Sequence, residues 1–215
     1  MFPAALRRLQ AALGKPLPGA SAHEILAPRP RRGWGVGPSP ARIRHAAGLL
    51  LLFPIDDRAH LVLTLRAGTL GRHGGQVSLP GGVVDPGETF DQAALREARE
   101  EIALALEGVR RLGALTPLDI PVSGFLLHPI VAAAPSRPVL TPSDGEVARI
   151  LEIPVGDLLD PARLVSTERV RDGRTVRVPA FRVAGEEIWG ATAMVLAEFL
   201  VLLGWKKDHD NRGAR

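Results

Sequence analysis

Residues 82–104 read GVVDPGETFDQAALREAREEIAL. A Gly-Gly turn opens the run and Pro86–Gly87 makes a second turn. Thr89 follows, with Gln92 three residues later, a capping-box spacing that predicts a helix starting just there. On that helix Glu97, Glu100 and Glu101 stand at i, i+3 and i+4, so their carboxylates share one face and converge. Three mutually repelling carboxylates invite a cation. Oxygen ligands without any cysteine nearby favour Mg²⁺ or Mn²⁺ over zinc, and such ions also bind substrate phosphates. A phosphate-bearing substrate is the corollary, set against the plainer reading of a solvated acidic helix face.

Gly82, Glu88, Arg96, Glu97, Glu100 and Glu101 together resemble, residue by residue, the Nudix hydrolase box G-x5-E-x7-R-E-U-x-E-E-x-G-U. Two positions depart from it. Ala98 stands where a larger aliphatic is often found, and Ala103 replaces the second glycine. Alanine tolerates positive φ poorly, so Ala103 predicts a differently shaped helix end. The resemblance implies an α/β/α sandwich with a mixed β-sheet and hydrolysis of a nucleoside diphosphate linked to another moiety. It also implies Mg²⁺ or Mn²⁺ held by Gly82, Glu88, Glu97, Glu100 and Glu101, with catalytic roles for Glu97 and Glu100. Arg96 is expected to orient Glu88 by an ion pair rather than to touch substrate.

Immediately upstream, residues 63–82 read LTLRAGTLGRHGGQVSLPGG. Thr64, Arg66, His73, Gly75, Val77, Pro80, Gly81 and Gly82 resemble the L-L-T-x-R-S-x5-H-x-G-x-V-x-F-P-G-G extension of the coenzyme A diphosphatase branch of that family. Ala67 and Leu79 replace its serine and phenylalanine. The resemblance implies coenzyme A as substrate, cleaved to 3′,5′-ADP and 4′-phosphopantetheine. Coenzyme A carries a diphosphate and a 3′-phosphate, so its site needs arginines besides the metal ions. Arg66 and Arg72 are the candidates. His73 and Gln76 either bind phosphate or brace the loop.

Downstream, LTPLDIPVSGFLLHPIVA (115–132) is a further segment similar to this branch, and Glu146 follows a Pro-Ser-Asp-Gly turn. Glu146 is a candidate for a further metal ligand or for the general base that takes a proton from the attacking water. The alternative is an exposed strand-end carboxylate.

The remaining chain supplies strands and flanking helices. An amphipathic helix is expected over 3–13, with Pro3 early and Gly14 past its end. A Pro-, Gly- and Arg-rich extended segment pinned by Trp34 should run through 15–42. Strands are expected over 43–53 and 60–66, near 110–118, 125–134 and 146–153, and as a hairpin over 164–183. A closing helix follows over 191–203, too short and too interrupted by Glu198 to span a bilayer. Trp189 before it either packs on the sheet or stacks on an adenine. The organisation expected is an N-terminal helix and extended segment over 1–42, one enzyme domain over 43–205, and a polar tail over 206–215.

Charge and composition narrow the partners. The sequence pI is about 10.5, but the net charge is only +4, with no Cys or Tyr to titrate in between. The charge is segregated: residues 1–72 hold 11 basic and 3 acidic groups, and 73–161 hold 6 and 13. A basic flank beside an acidic metal-binding middle can steer a polyanion inward. No aromatic-rich basic surface supports nucleic acid, and the absence of cysteine excludes disulfides and thiolate chemistry. The expectation is a cytoplasmic enzyme, monomer or homodimer, taking a small nucleotide substrate without nucleic-acid or membrane partners. The readings set against it are a Nudix hydrolase of ADP-ribose, NADH or a nucleoside triphosphate, and a non-catalytic nucleotide- or RNA-binding regulator.

Overall fold

From Ala46 to Phe53 every residue is apolar or glycine, a run that suits a strand buried on both faces and so a sheet covered on both sides. The computed structural model describes residues 1–29, 43–68, 75–121, 123–171 and 174–206. These form helices α1 (Phe2–Leu13) and α2 (Ala20–His23), then strands β1 (Arg44–Ile55), β2 (Arg58–Arg66), β3 (Val77–Ser78) and β4 (Gly81–Val83). Helix α3 (Phe90–Ile102) is followed by β5 (Arg110–Ala114), β6 (Leu118–Ile120), β7 (Phe125–Ala133) and β8 (Val147–Pro154). After α4 (Val155–Leu159) come β9 (Leu164–Arg171), β10 (Arg174–Val183), β11 (Glu186–Trp189) and α5 (Gly190–Leu202).

β1 is the centre of the main sheet. It runs parallel to β7 from Arg44↔Phe125 to Leu52↔Ala133, while the β2, β4, β5, β6 and β8 pairings are antiparallel. Period-2 alternation then sorts β1 between two cores. Leu49, Leu51 and Phe53 face Ala94, Ala98 and Ile102 of α3. Leu50 and Leu52 face α1 and α5, through Leu9, Val195 and Phe199. The result is the α/β/α sandwich with a mixed sheet that the sequence led us to expect. β9, β10 and β11 form a separate antiparallel sheet of three strands.

β1 turns into β2 through Asp56 and Asp57, whose φ of 46° and 59° are the left-handed pair that a two-residue hairpin turn needs. Two local expectations change. Residues 20–26 are not extended: they form α2 and a 3₁₀ turn, held down by the buried Glu198 of α5. The Glu198 carboxylate accepts from Gly19 N (3.0 Å), Thr116 N (3.1 Å) and Thr116 Oγ1 (2.7 Å), and meets His23 Nε2 at 3.0 Å. Gly81–Gly82 is a short strand rather than a turn, because its backbone pairs with β1. Trp34 and the turn at 172–173 lie outside the described residues, as does the tail from 207.

Candidate functional site

β1 and β2 pair only between Leu52↔Leu61 and Ile55↔Arg58. Beyond that they part, and residues 77–83 enter the gap. This insert pairs with β2 through Thr64↔Ser78 and Leu65↔Val77, and with β1 through Gly48↔Gly81, Ala47↔Gly82 and Ala46↔Val83. Leu49 N donates to Pro80 O at 2.8 Å to complete the seam. The approach is so close that a Cβ on Gly81 would strike the Ala47 carbonyl and the Gly48 Cα. A Cβ on Gly82 would strike the Glu97 carboxylate instead. The missing side chain at Gly82 is therefore what lets Glu97 lie over the strand.

Helix α3 begins with the capping box read from the sequence: Gln92 N donates to Thr89 Oγ1 (3.2 Å), and Thr89 N to Gln92 Oε1 (2.8 Å). It ends at Ala103, whose φ of 52° and ψ of 35° are left-handed. The helix end thus keeps the left-handed geometry despite lacking glycine, at a cost of roughly 1–2 kcal/mol.

Arg96 is the hub of the carboxylates. Its Nε and Nη2 grip Glu88 Oε1 and Oε2 at 2.8 and 3.0 Å, while Nη1 donates to Glu97 Oε1 (2.9 Å) and Glu100 Oε2 (3.1 Å). Nη2 also reaches Val83 O at 3.0 Å. Glu88 further accepts from Asp85 N (3.1 Å). The Arg96 guanidinium, helped by that amide, holds Glu88 below the usual carboxylate range, and Glu88 in turn raises the proton affinity of Arg96.

Glu101 is treated differently. It is 3% exposed, accepts from Gly81 N at 3.1 Å and stands 3.6 Å from Arg66 Nη1. Burial pushes its carboxyl up to about 7, against the pull of Gly81 N–H and Arg66 and with the fields of Glu97 and Glu146. Burial likewise raises Glu97, opposed by Arg96 and reinforced by Glu100 and Glu146. Glu146 is exposed, and its field acts on both Glu97 and Glu101. Its loop is fastened to the end of α3 by Ser143 N to Glu101 O (2.8 Å) and Thr141 N to Ile102 O (3.0 Å). Ala67 N donates to Glu146 O at 2.9 Å.

The structure thus brings together Gly82, Glu88, Arg96, Glu97, Glu100, Glu101, Glu146 and Arg66. Among the described residues, no three of the carboxylates close on one point. Arg96 Nη1 bonds both Glu97 and Glu100, and Glu101 is turned toward Gly81. Gln76 sits beside Arg66, whose N–H donates to the Gln76 carbonyl at 3.0 Å. Arg72 and His73 lie outside the described residues. Trp189 is half-buried, with the Arg169 guanidinium 4.4 Å above its ring. Sequence reasoning missed two features: the Gly81 N–H as a partner for Glu101, and the contact of Arg66 with Glu101. The first was detectable only through strand pairing. The second depends on how β2 passes the helix end.

The donor set suits a hard divalent ion. Five glutamates (Glu88, Glu97, Glu100, Glu101 and Glu146) face two guanidiniums, leaving negative charge in surplus. The buried Glu101 and the half-buried Glu97 have raised proton affinity, the state a cation would relieve.

Comparison with known proteins agrees with this geometry. The NUDIX domain family model matches residues 43–171. The uncharacterized Nudix hydrolase NudL of Citrobacter koseri is 36% identical over 157 residues, covering 72% of this chain and 81% of the relative. The protein of the same name from Photorhabdus laumondii is 37% identical over 164 residues, covering 74% and 87%. Among solved structures, the Nudix hydrolase RenU from M. smegmatis superposes with a TM-score of 0.52 at 23% identity, covering 75% of this chain and 85% of that one, a likeness of fold. On the box, the helix that carries it and these matches, the chain belongs to the Nudix hydrolase family.

Proposed function

We propose that this Nudix hydrolase cleaves the diphosphate of coenzyme A with Mg²⁺ or Mn²⁺, releasing 3′,5′-ADP and 4′-phosphopantetheine. The observation that carries the reading is the 63–82 segment, whose resemblance to the coenzyme A diphosphatase extension covers Thr64, Arg66, His73, Gly75, Val77 and Pro80 to Gly82. Its two ends frame the carboxylates: Arg66 stands beside Glu101 and Gly82 beneath Glu97.

Glu97, Glu100 and Glu101, with Glu88 and the Gly82 backbone, would hold the divalent ions. Bound there, such ions neutralise charge on the diphosphate and acidify water. Water adds to one phosphorus, the bridging P–O bond breaks, and the bridging oxygen leaves with the other phosphate. Glu146, exposed at the rim, takes the proton from the attacking water on its carboxylate. Arg96 fixes Glu88, Glu97 and Glu100 relative to one another. Arg66, with Arg72, His73 and Gln76 from the same segment, would grip the substrate phosphates.

The test is a panel of coenzyme A, acyl-coenzyme A, ADP-ribose, NADH and nucleoside triphosphates, each assayed with Mg²⁺ and with Mn²⁺ and its products identified by mass. Preferred turnover of coenzyme A to 3′,5′-ADP and 4′-phosphopantetheine is expected. A preference for ADP-ribose would overturn the assignment, and failure to turn over any member would favour a binding protein.

A further inference from the structure

Beside the start of α3, two histidines on neighbouring parallel strands meet nitrogen to nitrogen. His45 of β1 and His128 of β7 place Nδ1 and Nε2 2.9 Å apart. Strand alternation puts both on the α3 side: His45 shares the face of Leu49 and Leu51, and His128 that of Ile130 and Ala132. His45 is exposed and His128 half-buried, so the pair is open to solvent on one side. Phe90, the first residue of α3, stacks on the His128 ring at 3.5 Å between centroids and 9° between planes.

We propose that His45 and His128 form a two-imidazole chelate for an imidazole-preferring divalent ion such as Zn²⁺, Ni²⁺ or Cu²⁺, separate from the carboxylate site. Imidazole nitrogen binds these ions, whereas Mg²⁺ keeps to oxygen. Two nitrogens on one tetrahedral ion, each about 2.0–2.1 Å from it, stand about 3.3 Å apart. To take an ion the pair gives up the proton it shares, which moves to the other nitrogen of one ring, and opens by a few tenths of an ångström on its solvent-exposed side, where His45 lies. The Phe90 stack holds His128 in place. Burial, and then the neighbouring His45, lower the proton affinity of His128, so it offers a lone pair at neutral pH. An occupied chelate would tie β1 to β7 beside the start of α3, with water in the remaining ligand positions.

Zn²⁺ is titrated into the full chain by calorimetry in excess Mg²⁺, which occupies the oxygen site. Cu²⁺ is examined in parallel by electron paramagnetic resonance. One Zn²⁺ per chain is expected, weakened at least about tenfold by His45→Asn and by His128→Gln alike and retained in Glu101→Gln. The Cu²⁺ spectrum should carry superhyperfine splitting from two nitrogens, reduced in either histidine variant. Circular dichroism melts of the two variants check their folding, and the spectrum of wild type alone can refute the chelate by showing fewer than two nitrogens. No Zn²⁺ uptake by the wild type, unchanged affinity in either histidine variant, or loss of uptake in Glu101→Gln would overturn the proposal.

Discussion

Replacing Glu198 with alanine should loosen the N-terminal segment from the domain while leaving the catalytic face intact. Glu198 is fully buried in an otherwise apolar stretch of α5, and each carboxylate oxygen has two partners. Oε1 accepts from Gly19 N and Thr116 Oγ1, and Oε2 meets Thr116 N and His23 Nε2. Truncation orphans the two backbone N–H groups, strands the buried His23 and Thr116 Oγ1, and leaves a cavity. Loss of one partner from a buried charged network costs about 3–5 kcal/mol. At about 2–4 °C per kcal/mol for a chain of this size, Tm should fall by roughly 6–20 °C. Glu198→Gln keeps the volume and one acceptor but turns an amide NH₂ on the donors at the other oxygen, so it should lose about half as much.

Burial alone would raise the proton affinity of Glu198, but hydrogen bonds from His23 and Thr116 outweigh it and leave the net shift downward. The native state therefore binds fewer protons here than the unfolded chain. The stabilisation is complete above the ordinary value near 4.5 and drains away as pH falls through the lower folded value. Thermal melts followed by circular dichroism from pH 7.5 down to about pH 3 read both effects, and hydrogen exchange over residues 15–29 localises them. A Tm drop in Glu198→Ala of less than about 3 °C at neutral pH would refute the reasoning. So would a gap between wild type and Glu198→Gln that widens in acid.

Other outcomes follow from the carboxylate face. Gly82→Ala pushes a methyl into the Glu97 carboxylate, and kcat should fall about 100-fold for a displacement near 1 Å; steady-state kinetics within about threefold of wild type would contradict the contact. Arg96→Lys cannot reproduce the two-pronged grip on Glu88 while also bonding Glu97 and Glu100, so metal affinity or turnover should drop about 10–100-fold, measured by Mn²⁺ titration and by rate. Protons compete with metal at Glu101, whose carboxyl is pushed up to about 7, so Mn²⁺ affinity should weaken about tenfold per unit as pH drops below that value. A flat pH profile in calorimetry would count against Glu101 as a ligand.

The sequence alone determined what depends on local spacing. The capping box of Thr89 and Gln92 and the apolar run of 43–53 are short-range signals, and they appear in the structure as the start of α3 and the buried strand β1; the i, i+3, i+4 glutamates lie on that helix, but their carboxylates turn to different partners. Residue chemistry also supplied the expectation of oxygen ligands and hence of a hard cation. What it could not decide is which side chains meet across distant strands. The parting of β1 and β2 that admits residues 77–83 depends on three segments at once, and it places Gly81 N–H on Glu101 and Gly82 under Glu97. The same holds for Glu198, read from the sequence only as an interruption of an apolar helix. Its partners lie 82 to 179 residues away, and burial among them turns a carboxylate that would face solvent into the anchor of the N-terminal segment. Those contacts arise from packing the two helical layers on one sheet, so only the tertiary structure fixes them.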